Sequence, residues 1–463
     1  MKHPRVIFLR LLYAGSDLLM AFAAMVLFDI YRFNHLPEGD ETRPLYDWLF
    51  FDYHVRLSLT AIPVLYVLLS TLLGYYNDVE HRSRLDDFKN SVVNSFICTL
   101  VVFFAALINN YLPDHIANYI QIIVLWGLLF MFPYIGRTAI TLYQRRHLRR
   151  SGGIYSAVIL GSAKATEKLR KRLTPKNSRN IPSFKVLDCL NPEEDPDIVD
   201  KIAALHPDAV ILTSEADEVN NTMKLFAKLY PLGCSIHVSP NIYSMITSRT
   251  RITNVAGEPL INISAANMTP ATANIKRLMD VVLSAAALIL LSPVFAAVAI
   301  GVKLDSRGPV FYRQQRVGYH KRLFNIYKFR SMTVDAEAHG PALSSENDPR
   351  ITRFGAVLRK YRLDELPQFW NVLRGDMSLV GPRPERPYFV EQIVKREPHY
   401  SLVHQVRPGL TSWGMVKFGY ASSVDQMIER VPFDLLYIEN VSIGIDLKIM
   451  FHTVNTIISG QGL

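Results

Sequence analysis

Two adjacent acids, Asp364 and Glu365, are the residues in this sequence whose types and spacing most directly suggest chemistry. The surrounding stretch is rich in arginine, both before and after them: Arg353, Arg359, Arg362, Arg374, Arg383 and Arg386. Carboxylates among cations, close to a long apolar segment, indicate phosphate chemistry at a membrane surface. The alternative is purely structural. Pro367 suits the first turn of a helix, and two acids at that place would cap the helix and complement its dipole.

The charge distribution narrows the kind of partner but does not choose it. Of the net charge of +10, residues 271–463 carry 24 Lys and Arg against 17 Asp and Glu, which is +7. Such an excess fits nucleic acid, anionic lipid and phosphorylated substrates equally well. The three cysteines, Cys98, Cys189 and Cys234, are far apart, so we expect buried thiols and neither a disulfide framework nor a zinc site.

The first 150 residues predict a membrane bundle. Four apolar segments stand out, at about 6–31, 48–75, 90–110 and 118–143. Each is long enough to cross a hydrocarbon core of about 30 Å, which needs about 20 residues. The first is too long for a cleavable signal peptide. For Asp17, inside the first segment, a helix–helix contact or an interfacial position is at least as good an interpretation as a functional role.

Basic residues at the ends of these segments predict their orientation. They cluster before the first segment, between the second and third, and after the fourth: Lys2, Arg5, Arg10, Arg82, Arg84, Lys89, Arg145, Arg146, Arg149 and Arg150. The other two loops hold only Arg32 and Arg43, beside several acids. Because positive loops stay in the cytoplasm, both ends of the bundle, and the chain that follows, are expected there.

The middle part alternates strand and helix patterns. Apolar runs such as AVIL and DAVIL read as buried strands, and the segments between them have helical spacing, which predicts a Rossmann-like parallel sheet with helices on its faces. The first turn keeps only Gly161 of a dinucleotide-binding fingerprint, followed by Lys164. We therefore favour a non-catalytic structural or regulatory domain over a cofactor-binding one. Residues 251–274 are predicted to be a linker.

A fifth apolar segment, from Val281 to Val302, is broken at Ser292-Pro293, where proline removes a backbone hydrogen bond. Positive charge flanks both of its ends, unlike the asymmetry usual for a spanning helix. We predict a re-entrant helix, break and helix over about 278–303, with a kinked spanning helix as the alternative.

Basic and aromatic residues alternate after this segment. PVFYRQQRV and RLFNIYKFR predict a hairpin with its turn near Gly318-Tyr319. Rings and cations mixed in this way stack on bases or lie at lipid headgroups, and the preceding apolar segment favours the headgroups. A helical stretch follows, broken between Asp364 and Pro367.

Residues 274–458 resemble the bacterial sugar transferase family, the polyprenyl-phosphate hexose-1-phosphate transferases. The matching stretches follow one another in order: NIKRLMDVVLS, GPVFYRQQRVG, FNIYKFRSM, DPRITRFGAVLRKYRLDELPQFWNVLRGDMSLVGPRPE, VRPGLTSWG and FDLLYIEN. The four N-terminal segments and the middle sheet are similar in architecture to the large monotopic members. The resemblance implies a four-helix transmembrane bundle (1–150), a Rossmann-like cytoplasmic domain (151–265) and a mainly α catalytic domain (266–463).

The resemblance also implies a reaction, in which hexose 1-phosphate passes from a UDP-sugar to undecaprenyl phosphate and UMP is released. Asp364 matches the nucleophile, and Glu365 matches its partner carboxylate, which helps to hold Mg²⁺. Five basic residues match substrate-binding positions: Arg359, Arg383, Lys328, Arg330 and Arg316. Ser292 and Pro293 match the break in the re-entrant helix. Val317 stands where many members have proline, so a slightly different turn is expected there.

These implications place the chain in the bacterial inner membrane, with its N-terminus and catalytic domain in the cytoplasm. The expected partners are undecaprenyl phosphate, UDP-sugar and inner-membrane lipid, and not nucleic acid; a homodimer stays open. Two other functions compete: a nicotinamide-dependent oxidoreductase that uses the middle domain, and a non-catalytic basic adaptor, which gives no reason for the carboxylate pair. The sugar cannot be read from the sequence.

Overall fold

A computed structural model describes residues 4–35, 44–77, 79, 84–107, 115–151, 155–173, 184–192, 195, 197–213, 219–239, 252–255, 258–263, 268–336, 340, 348–419 and 421–458. The chain forms two compact units. One contains Met1–Ser151 and Thr269–Ile275, and the other contains Gly152–Met268 and Lys276–Leu463.

The first unit is helical. Its elements are α1 (Pro4–His35), α2 (Leu45–Phe51), α3 (Tyr53–Leu72), α4 (Arg84–Val102, continued by a π-helical turn at Phe103–Leu107) and α5 (His115–Ser151). Among the described residues, four helical stretches are long and apolar enough to cross a membrane, which confirms the four predicted helices: Val6–His35, Tyr53–Leu72, Leu85–Ala105 and Tyr119–Gln144. Of the basic residues used for the orientation, Lys2, Arg43 and Arg82 lie outside the described residues. So do the side chains of Arg5, Arg84, Arg145, Arg149 and Arg150.

A buried ion pair joins α1 to α5. Arg137 Nε and Nη2 donate to the two carboxylate oxygens of Asp17 at 2.8 and 2.6 Å, and the Tyr76 hydroxyl donates to the same carboxylate at 2.6 Å. Asp17 and Arg137 are both fully buried. Because an unpaired charge would be costly at this depth, the helix–helix contact is the role that the structure supports for Asp17.

The second unit begins with a six-stranded sheet. Its elements are β1 (Tyr155–Leu160), α6 (Ala163–Leu173), β2 (Phe184–Leu190), α7 (Ile198–Leu205), β3 (Ala209–Thr213), α8 (Val219–Leu229), β4 (Ser235–Ser239), β5 (Ile252–Val255) and β6 (Glu258–Asn262). The strand order is β2-β1-β3-β4-β6-β5, and the first four strands are parallel, as predicted. Separate apolar clusters cover the two faces of β1 and β3, because alternate residues along a strand point to opposite faces.

The linker prediction was partly wrong. Residues 252–255 and 258–262 form an antiparallel hairpin, and β6 pairs with β4 at the edge of the sheet. Pro259 and the polar residues of this stretch hide the hairpin in the sequence. Pro259 precedes Ile261 and Asn262, where β6 pairs with β4, so its missing N–H interrupts no bond between those two strands.

Two helices bent by 62° follow, α9 (Pro270–Leu290) and α10 (Ser292–Asp305). Pro293 lies in the first turn of α10, where a missing N–H costs little. Ser292 Oγ donates to the Ile289 carbonyl at 2.8 Å, so it satisfies a backbone group that the bend leaves free. The predicted break is therefore present, and insertion as a re-entrant helix stays a prediction.

The rest of the unit surrounds a hairpin and a three-residue strand pair. Its elements are β7 (Phe311–Val317), β8 (Leu323–Phe329), α11 (Arg353–Lys360), α12 (Gln368–Arg374), β9 (Ser378–Val380), α13 (Pro387–Arg396), β10 (Gly409–Thr411), α14 (Trp413–Lys417), α15 (Val424–Glu439) and α16 (Ile443–Ile458). Strands β7 and β8 are antiparallel and joined through residues 318–322, which confirms the predicted hairpin. Its core includes Val372, Met377 and Ile393, all fully buried.

Candidate active site

The acid pair lies in a single 3-10 turn, Leu363–Glu365, between α11 and α12. Arg362 enters the turn with a left-handed backbone (φ 51°), a conformation that non-glycine residues adopt at some cost. Leu363 and Leu366 pack against the buried cluster that includes Phe329, which holds the turn in place. No side chain caps the start of α12, where Pro367 takes the cap position. Neither acid therefore caps this helix through a side-chain hydrogen bond, and the capping alternative is wrong on that point.

Glu365 is held as a carboxylate by three cations. Lys328 Nζ donates to Glu365 Oε1 at 2.7 Å, while Arg362 and Arg383 approach the carboxylate oxygens to 3.5 and 3.9 Å. Burial by itself raises the pKa of this carboxyl. The charges of Lys328, Arg383 and Arg362 outweigh burial, so the pKa of Glu365 lies well below its usual range.

Asp364 differs from its neighbour although it is one residue away. Its side chain lies on the wall of a cavity, and the residue is 6% exposed. Burial, together with the adjacent negative charge of Glu365, raises the pKa of Asp364 to about 6, against the opposing effect of Lys328 and Arg359. A carboxylate with this pKa is ionised at neutral pH but poorly stabilised, which suits a group that reacts.

The hairpin contributes three of the predicted basic residues. Lys328, near the end of β8, reaches Glu365 as described. Arg316, near the end of β7, donates to the Pro384 carbonyl at 3.0 Å and lies 3.5 Å from a carboxylate oxygen of Glu385. Arg330 follows β8 and donates to the carbonyls of Ser306 and Arg307 at 2.7 and 3.1 Å, at the C-terminal end of α10.

Arg359 and Arg383 reach the same cavity from other elements. Arg359, in the last turn of α11, donates from Nε to Ser331 Oγ at 3.0 Å. Arg383 lies in the segment Gly381–Pro384 that follows β9, and its Nη1 contacts Met415 Sδ at 3.2 Å. Glycine at 381 is required because an added Cβ would lie 2.3 Å from the Arg407 carbonyl oxygen. The close backbone approach fixes the path of the segment that carries Arg383.

The cavity has a volume of about 250 Å³. Its polar lining includes all of the predicted catalytic and substrate-binding residues except Glu365, which accepts a hydrogen bond from Lys328: Arg316, Lys328, Arg330, Arg359, Asp364 and Arg383. Phe311, Tyr312 and Phe389 add aromatic surface. The structure thus brings together side chains from the hairpin, α11, the 3-10 turn and the segment after β9, in an arrangement suited to an anionic ligand.

The sequence profile of the bacterial sugar transferase family matches residues 271–460. Among characterised proteins, the exopolysaccharide production protein PSS of Rhizobium leguminosarum bv. phaseoli is 41% identical over 190 residues, which cover 39% of this chain and 93% of that one. The chain belongs to the bacterial sugar transferase family.

Two relatives that match over a longer stretch of this chain have more specific names. A UDP-N-acetylgalactosamine-undecaprenyl-phosphate N-acetylgalactosaminephosphotransferase of Aeromonas hydrophila is 40% identical over 262 residues, covering 56% of this chain and 61% of that one. A UDP-glucose:undecaprenyl-phosphate glucose-1-phosphate transferase of Escherichia coli (strain K12) is 38% identical over 233 residues, covering 50% of each. The chain therefore spans about half to three-fifths of the length of these two relatives.

A second charged cluster, which was not identified from the sequence, lies at the wall of the same cavity. Arg430 Nη2 donates to Glu385 Oε1 at 2.6 Å, and Arg430 Nε lies 3.7 Å from Asp434. All three side chains are buried. Glu385 directly follows the Gly381–Pro384 segment, so its position was a usable signal. Arg430 and Asp434 are one helical turn apart on α15, and only the fold brings them here.

The donor set fits a hard divalent cation. Mg²⁺ commonly uses one or two carboxylates and takes its remaining oxygens from water and substrate phosphates. Asp364 and Glu365 supply two carboxylates in one turn, beside a cavity with room for a phosphorylated ligand. Across the described part of the chain, no group of three or more acids, histidines or cysteines could hold a metal ion by itself. An ion that takes some of its ligands from a bound substrate does not need such a group.

Proposed function

We propose that this chain transfers hexose 1-phosphate from a UDP-sugar to undecaprenyl phosphate, releasing UMP, as the first membrane step of exopolysaccharide, capsule or O-antigen synthesis. Asp364 carries the proposal: it is a buried carboxylate with a raised pKa, on the wall of a cavity lined by arginines. Membership of the sugar transferase family supports the reaction class. The names of the Aeromonas hydrophila and Escherichia coli relatives support the donor and the lipid acceptor.

In the first displacement, an oxygen of the Asp364 carboxylate attacks the phosphorus that bears the sugar. The bond from this phosphorus to the bridging oxygen breaks, and UMP leaves with the electron pair. An acyl phosphate then joins Asp364 to the sugar. Arg383 and Arg316 line the same cavity and offset the negative charge that gathers on the donor phosphates.

In the second displacement, a phosphate oxygen of undecaprenyl phosphate attacks the same phosphorus. The bond to Asp364 breaks, so the carboxylate is regenerated and the lipid diphosphate sugar is formed. Arg359 lines the cavity, and its bond to Ser331 fixes its direction. We assign it to the phosphate of the lipid. Dividing one exchange into two displacements lets a single carboxylate serve both substrates.

Glu365, with Asp364, would hold Mg²⁺, which when bound neutralises phosphate charge as a Lewis acid. The protein itself keeps Glu365 ionised by means of Lys328, Arg362 and Arg383. Lys328 Nζ donates to Glu365 Oε1 and its side chain also lines the cavity, so the same ammonium is placed to contact a phosphate of a substrate bound there.

Membrane placement follows from the bent helix pair. We propose that α9 and α10 form a re-entrant helix with both ends on the cytoplasmic side of the inner membrane. The 62° bend and the basic residues at both ends, Arg277 and Lys303 among them, support this. The catalytic domain then lies at the depth of the lipid headgroups, where undecaprenyl phosphate presents its charge.

The parallel sheet is proposed to be Rossmann-like and non-catalytic. The parallel order β2-β1-β3-β4 supports the fold. Its first turn holds one glycine, Gly161, and an added Cβ there would meet the Thr213 hydroxyl at 1.6 Å. This glycine has a packing reason of its own, which removes part of the argument for a dinucleotide site.

The decisive experiment measures UMP release and adduct formation in lipid nanodiscs with undecaprenyl phosphate and Mg²⁺. UDP-glucose and UDP-N-acetylgalactosamine are the first two donors of a sugar-nucleotide panel. Wild-type protein is expected to release UMP and, without the lipid acceptor, to gain the mass of one phosphorylated sugar of the donor used on the peptide that contains Asp364.

Asp364→Asn should abolish both signals, because an amide cannot act as this nucleophile. Asp376→Asn is the matched control: Asp376 is partly exposed, pairs weakly with Arg374 at 3.9 Å and does not line the cavity. Adduct formation in the Asp364→Asn variant, or an adduct on another residue, would rule out the nucleophile assignment.

A further inference from the structure

The turn of the β7–β8 hairpin is built from unfavourable residues. His320 and Lys321 are consecutive and both have positive φ, 52° and 57°, and the Arg322 N–H closes the turn on the Tyr319 carbonyl at 3.2 Å. Turns with this backbone strongly prefer Asn-Gly. Side chains with a full Cβ in this conformation persist only when surrounding contacts hold them.

Both side chains make such contacts. Both contact the part of the chain that forms the six-stranded sheet and its helices, residues 155–263, called the sheet region below. His320 Nδ1 lies 3.1 Å from the Tyr230 hydroxyl, just after α8, and Lys321 Nζ donates to the Ala227 carbonyl at 3.2 Å, in the last turn of α8. A cation at a helix C-terminus is favourable because free carbonyls gather there. The two residues that strain the turn are therefore the two that attach it to the sheet region.

Tyr230 is buried and has a second partner. Its hydroxyl donates to the His404 carbonyl at 3.1 Å. One hydroxyl has one hydrogen, so it accepts from His320, which fixes the histidine as a donor at Nδ1. Leu402 packs into the apolar cluster of the sheet, and Gln405 Nε2 donates to the Ile263 carbonyl at 2.5 Å. The sheet region thus contacts the hairpin turn and the segment around His404 together.

These contacts lie beside a residue of the catalytic cavity, Arg383. A small void is lined by Val317 and Gly318 of the hairpin, by Pro382 and Arg383, and by His404. The Val317 N–H also donates to the Glu385 carbonyl at 3.0 Å. Arg316 and Lys328 lie on the same two strands. Movement of the turn would therefore reach Arg316 and Arg383, which we assigned to the donor phosphates.

We propose that Tyr230 is a positioning residue for donor binding, and that the sheet region holds Arg316 and Arg383 in place through the turn at His320-Lys321. This inference rests on the proposed function. It gives the sheet region a role in the reaction that needs no bound nucleotide.

Two variants test it in the full chain. Tyr230→Phe keeps the ring and removes the hydroxyl. The double variant His320→Asn/Lys321→Gly relieves the backbone strain of the turn but removes both contacts, so loss of order in the hairpin cannot come from the turn's own conformation. Tyr143→Phe, at an exposed tyrosine of α5, is the matched control.

For each test variant we expect the KM for the UDP-sugar that wild type uses best to rise by about two- to tenfold, the size of one ordinary hydrogen bond, because the bonds removed act on the donor only through the hairpin. The kcat should stay within about twofold. Amide hydrogen exchange should quicken in peptides covering 311–329 and 378–386, which a local defect confined to the sheet would not cause. Tyr143→Phe should change neither.

An unchanged KM, or unchanged exchange at 378–386, in either folded variant overturns the inference. Exchange is measured without substrate, so it remains decisive if wild-type protein releases no UMP. Absence of UMP release by wild-type protein would count against the proposed function, whereas unchanged exchange would count against the inference, so the two failures are distinguishable.

Discussion

Two buried clusters of charge in this chain are built on opposite plans. In the helical bundle, Arg137 donates two hydrogen bonds to Asp17, and both side chains are fully buried. At the acid pair, four cations, Lys328, Arg359, Arg362 and Arg383, act on two carboxylates, which leaves a local surplus of two positive charges. Three of those cations also line the cavity.

The difference separates a structural ion pair from a binding site. A closed pair satisfies its own charges, so removing one partner leaves the other uncompensated and destabilises the fold. A cluster with surplus charge beside a cavity is completed by a ligand of opposite sign. Burial and short ion pairs are common to both clusters; the charge balance and the cavity tell them apart.

The largest expected effect comes from exchanging the two aspartates for asparagine, one at a time. Asp364→Asn should reduce UMP release by about a thousandfold or more with little change in thermal midpoint. Asp17→Asn should cost about 3–5 kcal/mol of stability, while the folded fraction keeps its turnover rate. Activity assays and thermal unfolding in the same nanodiscs measure both. If Asp17→Asn lowered turnover without lowering stability, the distinction would fail.

Lys328→Met should have the next largest effect, a loss of about thirty- to hundredfold in kcat/KM. Without its ammonium, buried Glu365 loses its shortest ion pair, at 2.7 Å, and its pKa rises. Lys328→Arg keeps the charge and should recover part of the activity. Equal loss in both variants would mean that the shape of the lysine matters and its charge does not.

The pH dependence distinguishes the two acids of the pair. Asp364 must be ionised to attack, and its pKa is raised to about 6, so the rate should fall below that pH by about tenfold per unit. Glu365, whose pKa is held low, stays ionised through this range. Burial also raises the pKa of Asp434, to about 7. Asp434→Asn is therefore assayed alongside: if it removes the fall near pH 6, the fall does not belong to Asp364.

Arg330→Lys should have the smallest effect and decides between two roles. Arg330 makes several bonds to carbonyls at the end of α10, and losing their geometry should cost about 1–2 kcal/mol of stability. If this is its main role, the KM for the UDP-sugar should change by less than about threefold. A tenfold rise at unchanged stability would support the substrate contact that the family resemblance implies.

How much of this was readable from the sequence depended on how local the signal was. Apolar length predicted the four helices, and alternation predicted the hairpin and the parallel strands, because each pattern lies within one element. Asp364 and Arg362 are neighbours in the chain. Lys328 and Arg383 reach Glu365 from 37 and 18 positions away, and only the fold shows that they meet.

Arg330 shows what a residue-by-residue resemblance leaves out. It stands two positions after Lys328 and has the same charge, so the sequence treats the two as a pair. Strand β8 ends at Phe329, and the side chain of Arg330 then turns to carbonyls more than twenty residues earlier. Strands β5 and β6 were missed for a different reason, because both are short, β5 lies at the edge of the sheet, and neither has a continuous apolar run.

The packing of Leu402 has a practical consequence for protein engineering. A shortened protein beginning at residue 268 would leave this side chain without the apolar cluster of the sheet that now covers it. The turn at His320-Lys321 would also lose its hydrogen bonds to residues of the sheet region. Such a fragment would expose an apolar patch that promotes aggregation. Exchanging Leu402 for glutamine and the turn for Asn-Gly would be the first two changes to keep such a membrane-bound fragment well ordered.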